Sequence, residues 1–317
     1  MIDPAMAFCI QIYRKKLGIL ATTLAAAAFL GSCSGVSGQS SQCLAPAKLN
    51  GRLSIPAGSF VMGEDPRYPE EGPPRQIFVQ AFQLDVHEVT NAQFRSFIEQ
   101  TGYRTTAERM PPLMTGAPPE MLKPGSATFT VPARPGDSWW TWTPSANWRH
   151  PEGDRSTIDG KASDPVVQVS FEDAQAYAKW AGGSLPTEEQ WEYAARAGIP
   201  SSPEPVDERG RQQANSYQGV FPVRDLGEDG FTGRAPVGCF KPNEFGLFDM
   251  IGNVWEWTSS SRNAVDRRNV IKGGSYLCAR NYCARYRPAA RQFQELDLGT
   301  NHIGFRLAYP AAPKVSN

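Results

Sequence analysis

Histidine is nearly absent from this sequence: His87, His150 and His302 are the only three, and they lie far apart. A histidine-built zinc centre therefore has no local signature, and each imidazole is expected to make a core or loop hydrogen bond. An excess of charge is missing too. The 32 Lys and Arg balance 32 Asp and Glu, with no basic stripe, so nucleic acid is a poor partner. No CxxC pair occurs among the 6 cysteines, which excludes a thioredoxin-like redox motif. Repeats are also lacking. Gly (29) and Pro (27) are plentiful but scattered, which excludes collagen and solenoid arrays and favours a loop-rich body. The apolar run at residues 17–30 is too short and too rich in small residues to predict a membrane span.

That run does have another reading. Arg14, Lys15 and Lys16 precede it, and Leu30-Gly31-Ser32-Cys33 ends it, an order expected of an export signal over residues 1–32. The ending resembles the lipobox of bacterial lipoproteins, which implies lipidation of Cys33; an ordinary signal peptide with an incidental cysteine is the alternative. A lipid supplies membrane affinity without a spanning helix. Residues before Arg14, including Cys9, read as an over-long start. Residues 33–50, polar and rich in Ser, Gly and Gln, read as a tether. Losing residues 1–32, with Arg14, Lys15, Lys16 and Asp3, leaves a net charge of −2. Cys43, Cys239, Cys278 and Cys283 then remain for the exported, oxidising side of the membrane.

The folded part is expected to begin near Leu53 and to run as one domain over residues 51–312. Ile55 to Gly63 suggests a turn and a short strand, and Phe78, Phe82 and Leu84 alternate as a strand does. Three helices carry start and stop signals. Thr90 precedes Phe94, Phe97 and Ile98, with a stop at Gly102. Ser170 with Asp173 opens a helix through Tyr177, Ala178 and Trp180, ended by Gly182-Gly183. Thr187 with Gln190 opens a third through Trp191, Ala194 and Ala195 to Gly198. No long helical pattern follows. With 8 tryptophans, the core is expected to be irregular and held by aromatics and ions.

The densest chemistry lies in Gly273-Gly274-Ser275-Tyr276-Leu277-Cys278-Ala279-Arg280-Asn281-Tyr282-Cys283-Ala284-Arg285-Tyr286-Arg287. Two cysteines at this spacing suit either a plain disulfide or a soft, low-coordinate site for Cu(I) with room for a third sulfur. Arg280, Arg285 and Arg287 add positive charge that favours thiolate.

This stretch resembles the active-site signature of formylglycine-generating enzymes, the sulfatase-modifying factor family. The resemblance extends from Ile55 to Ala308. It includes Ala146-Asn147-Trp148-Arg149-His150-Pro151-Glu152-Gly153, Leu185-Pro186-Thr187-Glu188, Trp191-Glu192-Tyr193, Gly227-Glu228-Asp229-Gly230-Phe231, Gly252-Asn253-Val254-Trp255-Glu256-Trp257 and Gly304-Phe305-Arg306. The Leu-Pro-Thr-Glu and Gly-Asn-Val-Trp-Glu-Trp blocks occur in relatives without the activity, so the cysteine pair is the specific part.

The resemblance implies an α+β, irregular, loop-rich single domain of the C-type-lectin-related type. It implies an oxidoreductase that uses molecular oxygen to convert the cysteine of a Cys-x-Pro-x-Arg segment, in an unfolded sulfatase polypeptide, to formylglycine. Cys278 and Cys283 would hold Cu(I), the substrate cysteine would add as a third sulfur, and Ser275 would line the pocket. Structural calcium is implied at Asn215, Ser216, Asp229 and Phe231, and at Asp249, Gly252, Val254 and Glu256 with Asn253 nearby; capping of turns by Asp229 and Glu256 is the plainer alternative. Ala279 and Asn281 depart from the family's usual His and Ser. The vertebrate disulfide positions fall on Ala178 with Leu307 and Ala195 with Pro288, so those staples are missing. Cys43 and Cys239 have no family role and are expected either to pair or to stay free. Trp139, Trp140, Trp142 and Trp148 are expected to pack or to line a peptide groove. Competing readings are an exported oxidase of a small metabolite and a non-catalytic envelope-binding module, both on the periplasmic side of a bacterial envelope.

Overall fold

The computed structural model describes residue 43 and residues 51–312, except 113–114, 135, 200–201 and 264. The expected signal, Cys33 and most of the tether lie outside the described residues. Those described belong to one compact unit, and among them no helix is long and apolar enough to cross a membrane.

All three signposted helices form, each from a capping box. Thr90 Oγ1 accepts from Gln93 N–H while the Gln93 side chain returns to Thr90 N–H, opening α1 (Asn91–Thr101). Ser170 and Asp173 do the same for α2 (Phe171–Trp180), and Thr187 with Gln190 for α3 (Glu188–Arg196). Gly102 closes α1 with φ 66°. The left-handed cap of α3 is Ala197, one residue before the glycine expected there. A side chain pays for that conformation, and the N–H of Ala197 is satisfied by Tyr193 O at 3.1 Å.

The strands are short and fall into separate sheets. β1 (Arg52–Ile55), β4 (Phe82–Asp85) and β13 (Ala308–Pro310) make an antiparallel sheet in the order β1-β4-β13. β9 (Trp255–Ser261) and β10 (Arg268–Lys272) are the centre of a four-stranded sheet. It is flanked by β11 (Gln292–Glu295) and by β12 (Ile303–Gly304), which runs parallel to β9. Three hairpins complete the fold: β2 (Gly58–Met62) with β3 (Arg75–Val79), β5 (Gly125–Phe129) with β6 (Trp140–Pro144), and β7 (Gly219–Val220) with β8 (Arg224–Asp225). Phe78 and Phe82 therefore belong to different strands, not to one alternating run.

The core is aromatic, as expected from the tryptophans. Phe94 lies against Phe97, Trp148, Tyr177 and Phe305, with ring centroids 5.3–6.4 Å apart. Trp148 is therefore a packing residue. A second cluster gathers Ile55, Leu84, Trp191 and Leu247 around α3.

Full-length cations thread between these clusters. Arg306 is completely buried and grips Glu256 with Nε and Nη2 at 2.8 and 2.7 Å, while Nη2 also reaches Phe248 O at 2.9 Å. Trp191 Nε1 donates to Glu256 as well, at 2.8 Å. Arg287 is clamped by both oxygens of Glu71, and Lys272 Nζ by Glu192 at 3.0 Å. Cys43 and Cys239 are joined in a disulfide, which answers the question the sequence left open.

Candidate active site

Gly273 and Gly274 bring the cysteine segment into the body of the domain. Both have positive φ, 97° and 71°. A Cβ on Gly274 would sit 2.6 Å from Tyr286 Cα and 2.9 Å from Arg285 O. The two ends of the segment thus touch backbone to backbone, which only glycine permits. Gly274→Ala should cost about 2–3 kcal/mol through left-handed strain and overpacking, lowering the urea midpoint; an unchanged midpoint would contradict the tight crossing.

Between these ends the chain turns twice. Cys278 N–H donates to Ser275 O at 2.8 Å, and Cys283 N–H donates to Ala279 O at 2.9 Å. Both cysteines are free thiols; Cys278 is buried and Cys283 half-buried. The Cys278 thiol donates to the Cys283 sulfur. This holds Cys278 well above the usual thiol range and, with Arg285 beside it, brings Cys283 down to about 7. Of the two sulfurs, Cys283, the less buried, is therefore the more readily ionised. Ser275 is fully buried, and its Oγ accepts from Leu277 N–H at 3.3 Å, fixing the turn before Cys278.

Of the three arginines expected near the thiols, the pair responds to Arg285. Its guanidinium pairs with Glu70 and lies over the Tyr68 ring at 4.2 Å. Tyr68 in turn accepts from Ala284 N–H at 3.2 Å. Arg287 is consumed by Glu71, and Arg280 is exposed, 3.8 Å from Glu204. Tyr68, Glu70 and Glu71 were not singled out from sequence. Their only local mark is the acidic, proline-dense run from Tyr68 to Pro74.

An aromatic wall stands beside Cys283. Tyr282 stacks on Phe221 at 4.7 Å and meets Trp139 at 5.4 Å; Phe129 and Tyr217 extend the contact through Phe221. Trp139 therefore packs against the cysteine segment through Tyr282, and Trp140 bridges Phe129 at 5.7 Å and His302 at 4.7 Å. Cys278 and Cys283 line none of three cavities of about 490, 560 and 660 Å³, although Phe129 and Tyr276 border the second.

The two oxygen-rich clusters form one buried seam. Asp229 Oδ1 accepts from Phe231 N–H at 2.9 Å, and Oδ2 from Ser216 N–H at 3.1 Å and Gln218 Nε2 at 2.7 Å, so it does cap its turn. Asn215 Nδ2 donates to Asn253 Oδ1 at 3.0 Å, which ties the first cluster to the second. Gly252 passes so close that a Cβ would fall 2.1 Å from Asn215 O. Burial pushes Asp249 up to about 6 and Glu88 well above the carboxylate range, beside the Glu256–Arg306 pair. Val254 is buried in the same seam. Among the described residues, no three His, Cys, Asp or Glu side chains converge as a metal cage. The histidines hydrogen-bond locally: His87 with Glu88 O, His150 with Ser156 O, His302 with Thr300 Oγ1.

With this geometry in view, the comparisons are specific. The family model described as the Sulfatase-modifying factor enzyme 1-like domain matches residues 40–311. The formylglycine-generating enzyme of Mycobacterium tuberculosis is 46% identical over 286 residues, covering 80% of this chain and 96% of its own. A mouse relative named inactive C-alpha-formylglycine-generating enzyme 2 is 38% identical, covering 82% of this chain and 85% of its own. Among solved structures, PvdO from Pseudomonas aeruginosa superposes with a TM-score of 0.57 at 24% identity, over 82% of this chain and 94% of that one. That likeness concerns the fold alone, and it is the mixed, loop-rich fold expected from sequence.

Proposed function

We infer the activity of this chain from its kinship: it belongs to the sulfatase-modifying factor family and is an oxidoreductase of the formylglycine-generating kind. It converts a substrate cysteine in a Cys-x-Pro-x-Arg segment of a sulfatase to formylglycine. Since a relative as near as 38% is named inactive, kinship alone does not carry this reading. The free Cys278–Cys283 pair, with the half-buried Cys283 thiol brought down to about 7, carries it.

Converting R–CH2–SH to R–CHO with loss of hydrogen sulfide oxidises Cβ by two electrons. With molecular oxygen as the acceptor, both of its atoms leave as water, two electrons coming from the substrate and two from an external thiol. Hydrolysis of the resulting thioaldehyde then releases hydrogen sulfide and supplies the aldehyde oxygen from water. The residues fit Cu(I): two free soft sulfurs that interact directly, one of them brought down to about 7. Bound there, Cu(I) supplies a thiophilic centre able to give one electron to oxygen, which side chains alone cannot do. The protein's own part is positional. Arg285 offsets the sulfur charge, the Ser275 turn presents Cys278, and Tyr282, Phe221 and Trp139 hold an extended peptide. The test is conversion of a Cys-x-Pro-x-Arg peptide by the copper-loaded protein under air, read as a mass change and by hydrazide capture. Intact copper-loaded protein that leaves the peptide unmodified would favour the small-metabolite oxidase.

Calcium is proposed as a structural ion in the buried seam. The Asp229 carboxylate sits among Asn215, Ser216 and Phe231, whose backbone and side-chain oxygens are of the kind calcium takes. The second cluster offers Asp249 and the backbone of Gly252 and Val254, with Glu256 shared with Arg306. An ion bound only by the native state adds stability by mass action, about 2.7 kcal/mol at a hundredfold excess over Kd. Chelation should therefore lower the melting temperature; no shift, with no calcium by elemental analysis, removes this proposal.

Export and lipidation at Cys33 are proposed from the leader, supported by the Cys43–Cys239 disulfide, a bond that persists in oxidising compartments. Cys33→Ser should move the protein from the membrane fraction to the soluble one. Continued membrane association would defeat the anchor.

A further inference from the structure

The aromatic wall continues into an apolar surface that the site does not use. The β7–β8 hairpin turns Phe221 inward onto Tyr282 and points its other aliphatic residues to solvent. Val220 is 64% exposed and Val223 74%; Leu226 is exposed just after β8. Most surface valines need no explanation, but these cluster on a hairpin fixed to the cysteine segment. Tyr217 N–H donates to Cys278 O at 3.0 Å, Asn281 Nδ2 donates to Gly219 O at 2.9 Å, and Phe221 stacks on Tyr282. The hairpin is thus fixed to the cysteine segment, and partly exposed residues run from Cys283 through Tyr282 and Phe221 to Val220, with Cys278 buried beneath.

We propose that this hairpin is a docking surface for aliphatic side chains of the substrate polypeptide that lie beyond the reacting motif. The proposal rests on the function inferred above and adds a second point of recognition to it. Continuity selects the occupant. A second copy of the chain or a membrane covering Val220 and Val223 would also obstruct the approach to Cys283. An extended polypeptide with its cysteine at the sulfurs covers both at once, because each residue advances about 3.3 Å and a few residues reach the hairpin. Such a substrate, met before it folds, still exposes the Val, Leu and Ile that its native state buries. The hairpin thus distinguishes an unfolded chain from a folded one.

The test uses the full protein and two substrates: a peptide limited to the motif, and a longer unfolded polypeptide with leucine and valine on both sides of it. The wild type should show the lower KM for the longer substrate. Val220→Ser combined with Val223→Ser should raise that KM on the order of tenfold, from lost apolar burial, with kcat and the short-peptide KM unchanged. An unchanged KM for the long substrate overturns the proposal. So does an equal loss on both substrates, which would make the hairpin a mere support. A wild-type dimer that the double variant dissolves, read by light scattering, assigns the patch to self-association instead. Should the wild type convert neither substrate, the inferred function itself falls. The docking surface is then still decided by anisotropy with a long polypeptide carrying serine for cysteine, whose affinity the double variant must weaken.

Discussion

Cys278→Ser and Cys283→Ser are each expected to reduce aldehyde formation roughly a thousandfold or more, the scale seen when a reacting group is removed. The two thiols act as a unit. Cys278 is buried and donates to Cys283, so each sulfur sets the state of the other. A serine hydroxyl keeps nearly the same shape and can replace the hydrogen bond, but it is a poor ligand for a soft monovalent metal. Both variants should therefore melt close to the wild type while losing copper and turnover together. Because Cys283 is the more exposed thiol and is brought down to about 7, alkylation of the wild type should label it before Cys278. Normal aldehyde formation by Cys278→Ser would sink the reading. A loss confined to a collapsed melting temperature would show that the sulfur pair matters for packing only.

Arg306→Met is expected to destabilise the domain by about 3–5 kcal/mol, the range for breaking a buried ion pair from one side. The reason lies in the count of charges around it. Arg306 is the cation that Glu88, Asp249 and Glu256 face, and all three carboxylates are buried. Removing the guanidinium strips both oxygens of Glu256 of their charged partner in a region closed to water, while Glu88, already pushed well above the carboxylate range by burial, needs no counter-charge. The cost should appear as a lower denaturant midpoint. Pairing Arg306→Met with Glu256→Gln should recover part of it, since removing both partners avoids the uncompensated charge. A midpoint unchanged by Arg306→Met alone would mean that protons or a bound cation already balance the carboxylates, and elemental analysis would separate those causes.

The helices could be read from sequence because their determinants are local: each capping box lies within four consecutive residues, such as Thr90 to Gln93. The strands could be read only in part. Phe78 and Phe82 alternate as one strand would, yet β3 pairs with β2 and β4 with β1 and β13. Pairing of that kind is decided by tertiary partners, which no short window contains. The site divides in the same way. Cys278, Cys283 and the double glycine share one segment and are visible together. Tyr68 lies 216 residues from Ala284, to which it is hydrogen-bonded, and Glu71 is equally far from Arg287. Sequence placed three arginines near the sulfurs because it had no means of knowing that Glu71 engages one of them.

The Cys43–Cys239 bond sets conditions on any sample of this protein. Two cysteine pairs in one domain require opposite redox states. A thiol reductant that maintains Cys278 and Cys283 also attacks a disulfide, and accessible sulfur is attacked first. Cys43 is exposed and Cys239 buried, so reduction of the staple begins on the Cys43 side. A fully reduced sample carries its active sulfurs on an unstapled domain, and a fully oxidised one keeps the staple and forfeits the sulfurs. Only an intermediate poise holds the native combination, so recombinant material from a reducing cytoplasm and material from an oxidising compartment differ in the state of their sulfurs.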